Sequence, residues 1–279
     1  MKKFVAVLLT CHNRREKTLS CLNSLYAATL PANHLLTIFL VDDGSNDGTA
    51  AAVTKEFPEV RILQGNGELY WNRGMHLAWQ TAQEAADFDF YLWLNDDVKI
   101  KPNGIEVLLN NHENYPNSII AGVMASEVDG KITYGGFDKN EKQIVFDAKE
   151  PLPCFYINGN MVLVPKIVKD KTGILDPMFP HATGDFEYGL RARKNGFETR
   201  ISSGIVGYCE SNPLPPAWQR PEVSLIKRAK SLYAPTGYCH PFYFFRYELR
   251  HFGIFRAVKH FFTLHLRMLM PSLWITKSV

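Results

Sequence analysis

"FYLWLNDDVKI", from Phe90 to Ile100, is the stretch that decides the fold. Its apolar and aromatic run ends at Leu94, Asn95-Asp96-Asp97 follow, and apolar character resumes at Val98. So short a run, rich in aromatic residues, reads as a buried strand. Two adjacent carboxylates at its tip repel one another, so something positive is expected beside them. Working outward, "FVAVLLT" (Phe4–Thr10), "LLTIFLV" (Leu35–Val41) and "VRILQ" (Val60–Gln64) have the same strand character. Helical spacing separates them. Leu19, Leu22, Leu25 and Tyr26 share a face between Arg14 and Ala28. Ser45 or Asn46 is placed to cap a helix reaching about Phe57, before Pro58. Trp71, Met75, Ala78, Trp79, Ala82 and Ala86 form a further stripe. Continuous apolar strands alternating with helices imply an α/β chain with a parallel sheet covered on both faces.

Ligands bind such sheets beyond the carboxyl ends of the strands. Those ends carry Thr10-Cys11-His12-Asn13-Arg14, Asp42-Asp43-Gly44-Ser45, Gln64-Gly65-Asn66-Gly67 and Asn95-Asp96-Asp97. The expected site is therefore a polar, carboxylate-rich rim. For Asp96 and Asp97 a divalent cation is one answer, since Mg²⁺ or Mn²⁺ takes one or two protein carboxylates plus phosphate oxygens. A solvated Asx turn is the other. "VDDGSNDGT" (Val41–Thr49) is a second acidic cluster, explicable as turn and cap chemistry. Neither the Gly-rich dinucleotide fingerprint nor a P-loop occurs, so bound phosphates would need a metal to neutralise them.

Beyond Asp97 the pattern is mixed. "GIEVLLNNH" reads as a helix and "SIIAGVMAS" as a strand. "GKITYGGFD" and "KQIVFDA" look like hairpin pieces, and "CFYINGNMVLVP" like strand, turn, strand. "GDFEYGLRARKNGF" (Gly184–Phe197) reads as a helix stopped at Asn195-Gly196. Asp185 sits where that helix starts, either as a favourable contact with the helix dipole or as a general base.

Apolar residues make up 46% of the 279 and charged residues 21%, the balance of a chain with a real core. Five cysteines without a Cys-x-x-Cys spacing argue against a disulfide framework and a cysteine zinc site, and favour a reducing cytosol. "MKKFVAVLLT" lacks a cleavage site and reads as a strand rather than a secretory signal. After the Pro-rich "NPLPPAWQRP", the segment from Pro221 to Val279 holds nine Lys/Arg against two acids and is rich in Phe, Tyr and His. Its charge and aromatic content suit interfacial helices on an anionic membrane. A helical pair packing on the core or on a second subunit, giving a homodimer, is the alternative. Nucleic-acid binding is not expected, because the basic residues form no dense stripe.

In this order, "LLTCHNR", "VDDGSNDGT", "GNGELYWNRGM", "LWLNDDV" and "GDFEYGLRARKNGF" resemble family 2 inverting nucleotide-sugar glycosyltransferases of the GT-A fold, closest to bacterial rhamnosyl- and galactosyl-type enzymes of surface polysaccharide assembly. The resemblance covers roughly residues 3 to 215. It implies a GT-A domain over 1–215, with a nucleotide-sugar half (1–100) and an acceptor half (101–215), followed by a basic, aromatic helical extension over 216–279. It implies that Thr10 and His12 contact the base, that Arg14 lies near the phosphates, and that Asp43 binds the edge of a uracil or thymine. Asn66 and the Trp71, Asn72, Arg73 segment would flank the nucleotide. Asp96 would sit near ribose or metal, Asp97 would hold Mg²⁺ or Mn²⁺ on the diphosphate, and Asp185 would be the catalytic base. Relatives often supply a His as an extra metal ligand after the last core strand. Here "GIVGYCES" (Gly204–Ser211) offers Cys209 and Glu210 instead, and a thiolate suits Mg²⁺ poorly. The implied partners are a UDP- or dTDP-sugar donor and a glycan or lipid-linked glycan acceptor. The implied place is the cytoplasm, peripheral on the inner face of the cell membrane. A nucleotidyltransferase would need glycines after the first strand that "TCHNRREK" lacks, and a non-catalytic sugar-nucleotide-binding module would need no acid at Asp185.

Overall fold

A computed structural model describes residues 2–211, 214–237 and 239–274. Its first half comprises β1 (Lys3–Cys11), α1 (Arg15–Ala27), β2 (His34–Asp42), α2 (Thr49–Glu56), β3 (Arg61–Gln64), α3 (Tyr70–Ala85) and β4 (Phe90–Leu94). Then follow β5 (Lys99–Ile100), α4 (Gly104–Asn114), β6 (Ser118–Ala125), β7 (Ile132–Tyr134), β8 (Gly136–Phe137), β9 (Leu152–Pro153), β10 (Tyr156–Ile157), β11 (Met161–Pro165), α5 (Lys166–Thr172), α6 (Gly184–Lys194) and β12 (Glu198–Tyr208). The chain continues through α7 (Leu225–Leu232), α8 (Pro241–Phe252) and α9 (Ile254–Leu269). Residues 275–279, the end of the basic extension, lie outside the described residues.

The main sheet runs β3-β2-β1-β4-β11-β6-β12-β5. β3, β2, β1 and β4 are mutually parallel, as their apolar runs and intervening helices predict. β11 then enters antiparallel between β4 and β6, while β6 and β12 pair in parallel. Alternation along β1 feeds both faces. Val5, Val7 and Leu9 join Leu22 and Leu25 of α1 and Leu108 of α4, whereas Ala6 and Leu8 join Met75 and Trp79 of α3 and Tyr188 of α6. Each fully buried Leu, Val or Met contributes about 1.5–3 kcal/mol over an exposed one, so the two-sided core is the main term holding the sheet.

Several local expectations are revised. Ser45 and Asn46 do not cap α2, which begins only at Thr49. The Ser45 hydroxyl accepts from the Asn13 N–H (2.9 Å) instead, and Asp47 accepts from the Thr49 N–H (3.1 Å). "KQIVFDA" contributes one bridge, Gln143 to Phe137, rather than a strand. The two strands of "CFYINGNMVLVP" serve different sheets, since β10 pairs with β8 and β11 joins the main sheet. The helix from Gly184 does stop at Asn195, with Gly196 at φ +86°.

The basic extension is partly core. Tyr247 of α8 is buried with Tyr156, Phe179 and Leu190, and Phe244 and Phe252 pack against that cluster. Ion pairs fix the contact. The Arg250 guanidinium lies 2.8 Å from the fully buried Glu187 of α6 and 2.7 Å from Asp176. Among the described residues, no helix is long and apolar enough to cross a membrane.

Candidate active site

The carboxyl ends of β1, β2 and β4 open onto a cavity of about 670 Å³. Thr10, His12, Arg14, Asp43, Trp71, Asp96, Asp97 and Asp185 all line it.

Arg14 answers the question that the paired carboxylates raise. Its Nη1 donates to Asp96 Oδ1 (2.8 Å) and its Nη2 to Asp97 Oδ2 (2.5 Å), so one planar guanidinium bridges both acids. Burial works against the arginine's charge, but Asp96 and Asp97 outweigh it and raise its pKa. The two acids differ. The Asp96 side chain is only 4% exposed and that of Asp97 23%. Burial pushes Asp96 up to about 7, against the pull of Arg14 and with the neighbouring Asp97 adding to the rise. Both acids line the cavity, and Asp97 is the more accessible of the two. The Cys209 thiol lies 3.6 Å from Asp97 Oδ1 and is pushed up to about 12 by burial and by that carboxylate, so it stays protonated. Among the described residues no three His, Cys, Asp or Glu side chains gather into a metal-binding group. The donor set still fits a hard cation that takes most of its ligands from phosphate and water, with Asp97 as the protein carboxylate.

Asp43 has a structural task. Its Oδ1 accepts from the Gly67 N–H (2.8 Å) and its Oδ2 from Leu69 (2.9 Å) and Tyr70 (3.0 Å). It satisfies backbone donors at the start of α3, which otherwise lack partners. It thereby shapes the 65–70 loop along the cavity wall. His12 Nδ1 lies 2.5 Å from the Asp43 carbonyl oxygen.

Trp71 links the two halves of the site. Its indole N–H donates to Asn95 Oδ1 (2.7 Å), and its ring lies against Gly159, where an added Cβ would come within 2.6 Å of it. Asp185, partly exposed, lines the same cavity from the first turn of α6. Its Oδ2 accepts from the Gly159 N–H (2.9 Å) and its Oδ1 from the Phe186 N–H (2.8 Å). Burial nevertheless raises it to about 6, with those backbone donors opposing. A carboxylate poised there is ionised at neutral pH yet basic enough to take a proton. Thr183, which precedes α6, holds a left-handed φ of +76°, and Tyr70, which opens α3, one of +56°. Backbone strain of this kind concentrates at functional sites.

Three expected site residues do not line the cavity. Asn72 is fully buried and donates to the carbonyls of Asp176 (2.8 Å) and Phe179 (2.6 Å). It also packs so tightly on Gly184 that a Cβ there would fall 1.9 Å from its Oδ1, so it seats α6 from below. Arg73 donates to the Pro177 carbonyl (2.9 Å), and Asn66 Oδ1 accepts from the Glu68 N–H (2.9 Å). Glu210 is turned toward the Glu127 N–H (2.7 Å). Conversely, Tyr134, Asn160, His181 and Thr236 line the cavity unforeseen. His181, four residues before Asp185, had a positional signal in the sequence; Thr236, in the extension, had none.

The family profile described as Glycosyl transferase family 2 matches residues 6–170. An N-acetylglucosaminyl-diphospho-decaprenol L-rhamnosyltransferase of Mycobacterium tuberculosis is 27% identical over 115 residues, 39% of this chain and 38% of that protein. A hyaluronan synthase of Streptococcus pyogenes is 33% identical over 114 residues, 39% of this chain and 26% of that protein. The match thus spans well under half the length of both curated relatives. In three dimensions the chain is similar to a mannosyltransferase from Pyrobaculum calidifontis in complex with GDP-Man and Mn²⁺, at a TM-score of 0.60 and 17% identity over 97% of this chain and 72% of that one. S. aureus TarS 1-349 in complex with UDP-GlcNAc gives 0.59 and 15% over 99% and 76%. These likenesses carry the fold, which is GT-A. With the profile covering more than half of its residues, the chain belongs to glycosyl transferase family 2.

Proposed function

We propose that the protein is an inverting, metal-dependent hexosyltransferase that moves a sugar from a UDP- or dTDP-sugar to an acceptor hydroxyl. The acceptor is a glycan or lipid-linked glycan of cell-surface polysaccharide assembly, reached peripherally at the inner face of the membrane. The single observation that carries this reading is that one cavity is lined both by the cationic and acidic cluster Arg14-Asp96-Asp97 and by Asp185, a carboxylate raised to about 6.

In this reading Thr10, His12 and the 65–70 loop shaped by Asp43 seat the nucleoside, and Arg14 contacts the diphosphate. Asp97 and, more remotely, Asp96 would hold Mg²⁺ or Mn²⁺, which supplies Lewis-acid stabilisation of the leaving diphosphate. The acceptor oxygen attacks C1 of the donor sugar from the face opposite the diphosphate. As the new C1–O bond forms, the bond from C1 to the diphosphate oxygen breaks, and the acceptor proton passes to Asp185. The Gly159 and Phe186 N–H groups hold that carboxylate in place. The rhamnosyltransferase relative supports a lipid-linked acceptor, and the nucleotide-sugar complexes among the fold neighbours support the donor class.

The test is a panel of nucleotide sugars offered with Mg²⁺ or Mn²⁺ and scored for release of nucleoside diphosphate. Release from at least one UDP- or dTDP-sugar, lost on chelation, is expected. Failure of the whole panel with lipid-linked acceptors present would overturn the reading.

A further inference from the structure

α9 is apolar on two opposite faces, and only one of them is used by the fold. Ala257, Leu264 and Met268 are buried, Leu264 and Met268 in a cluster with Trp218 and Leu232. On the other side, Phe255 is 91% exposed and Phe262 67%, and Val258, Leu266 and Leu269 are also exposed. At about 100° per residue these five side chains fall within roughly 80° around the helix axis, along about 21 Å of its length. Exposed Met270, Leu273 and Trp274 continue the apolar surface past the helix end. Single exposed apolar residues are ordinary, but a continuous stripe of this kind marks an interaction surface.

Its charge selects the partner. Between Pro241 and Trp274 the sequence holds five Lys/Arg and a single acid, Glu248. Glu248 is fully buried and paired with Arg256 (2.7 Å) and His260 (3.1 Å), so it shows no negative charge outward. Lys259, next to the stripe, and Arg246 on α8 are exposed. The exposed Glu141 shares a surface pocket with Phe255, but also with Lys139, Arg256 and Lys259, so cations outnumber it at the edge of the stripe. An apolar stripe with a cationic border is complementary to an anionic bilayer. A self-complementary dimer face would bring these cations together across the interface.

We infer that the Phe255–Leu269 face of α9 is the surface on which the protein docks to an anionic membrane, with Phe255 and Phe262 entering the interface. This names the contact surface for the peripheral placement proposed above and rests on that placement, but it does not depend on the identity of the sugar. The placement has a chemical use. The segment after α7 contributes Thr236 to the lining of the catalytic cavity, so the docked extension and the site that receives a lipid-linked acceptor are neighbours.

The experiment uses the full chain without donor or acceptor, so its failure is separable from failure of the transferase reading. Wild type, Phe255→Ser/Phe262→Ser and Lys259→Glu are co-sedimented with vesicles of phosphatidylglycerol and phosphatidylcholine, and with phosphatidylcholine alone. Wild type should pellet with the anionic vesicles, and less so at high salt. The double Ser variant should lose at least tenfold in partitioning with its melting temperature unchanged, and Lys259→Glu should lose the salt-sensitive part. Wild type that stays in the supernatant, or a double variant that binds as wild type does, would overturn the inference. So would a dimer in light scattering that the double variant dissolves, because the face would then belong to a second copy.

Discussion

Arg250→Met cuts the tie between α8 and α6 while keeping the aliphatic stem. The Glu187 carboxylate is fully buried and is approached by Arg191 of its own helix (3.0 Å), by Arg250 (2.8 Å) and by His251 (3.5 Å). Removing one partner of a buried charge costs about 3–5 kcal/mol when the charge is left uncompensated. Here Arg191 remains, and the Arg250 side chain is one-third exposed, which screens its share. The bond to Asp176, itself a quarter exposed, adds little. The expected loss is therefore about 2 kcal/mol, or about 3–4 °C in melting temperature for a chain of this size. The pH dependence is the sharper check. Burial opposes ionisation of Glu187, but its bonds with His251, Arg191 and Arg250 outweigh it and hold the group at about 2, against an ordinary 4.5. A carboxylate depressed in the folded state stabilises the fold above its unfolded value and loses that contribution as pH falls. Thermal unfolding of wild type and variant, followed by circular dichroism from pH 7 to pH 3, should show a gap that is full above about 4.5 and shrinks as the pH falls toward about 2. A melting temperature changed by less than about 1 °C, or a gap indifferent to pH, would refute the claim that this ion pair holds the extension on the core.

Asp185→Asn should leave donor affinity intact and reduce turnover by about 10²–10⁴-fold; wild-type turnover in the variant would leave Asp185 only a helix-terminus residue. In wild type, turnover should fall as pH drops through about 6, where burial places the protonation of Asp185, and a profile flat to pH 5 would contradict the base assignment. Asp97→Ala should abolish metal-dependent donor binding in calorimetric titration with Mn²⁺, with the fold retained. Arg14→Met removes the cation that bridges Asp96 and Asp97, so Mn²⁺ binding in the absence of donor should tighten while diphosphate affinity weakens; unchanged Mn²⁺ affinity would mean that the guanidinium and the metal do not compete.

The parallel half of the sheet was legible because each strand carries its burial as a continuous apolar run, and the α3 stripe from Met75 to Ala82 shows its buried face directly in its spacing. Asp96 and Asp97 stood out because adjacent carboxylates at a strand end repel one another, whereas Asp185, favourable where it sits at a helix start, stood out through the resemblance of its motif to the family's. The reversed direction of β11 was not legible, since an apolar run such as Met161–Pro165 has no intrinsic polarity. Asn72 was read as a nucleotide neighbour because sequence places it beside Trp71. One residue turns a helical side chain by about 100°, and that turn sends it under α6. The Glu187–Arg250 pair joins residues 63 apart, and no local periodicity marks a contact of that range. The sequence therefore left the extension between surface and core, whereas α8 packs on the core and α9 keeps one face outside it.

β11 runs against β4, so its first residues meet the last ones of β4. Met161 pairs with Leu94, and the Asn95 N–H donates to the Asn160 carbonyl (2.8 Å). The acidic tip that follows β4 and the Gly159 N–H that holds Asp185 are thus joined by one continuous ladder. If, as proposed, Asp97 serves the leaving group and Asp185 takes the proton, the gap between them would behave as a fixed gauge. A sheet resists stretching along its hydrogen bonds far more than a hinge between two lobes resists opening. Acceptors would be sorted by whether a hydroxyl reaches across a set distance, and a change of acceptor would be written into the loops at 65–70, 181–183 and 233–237 while the gauge beneath them stays the same length.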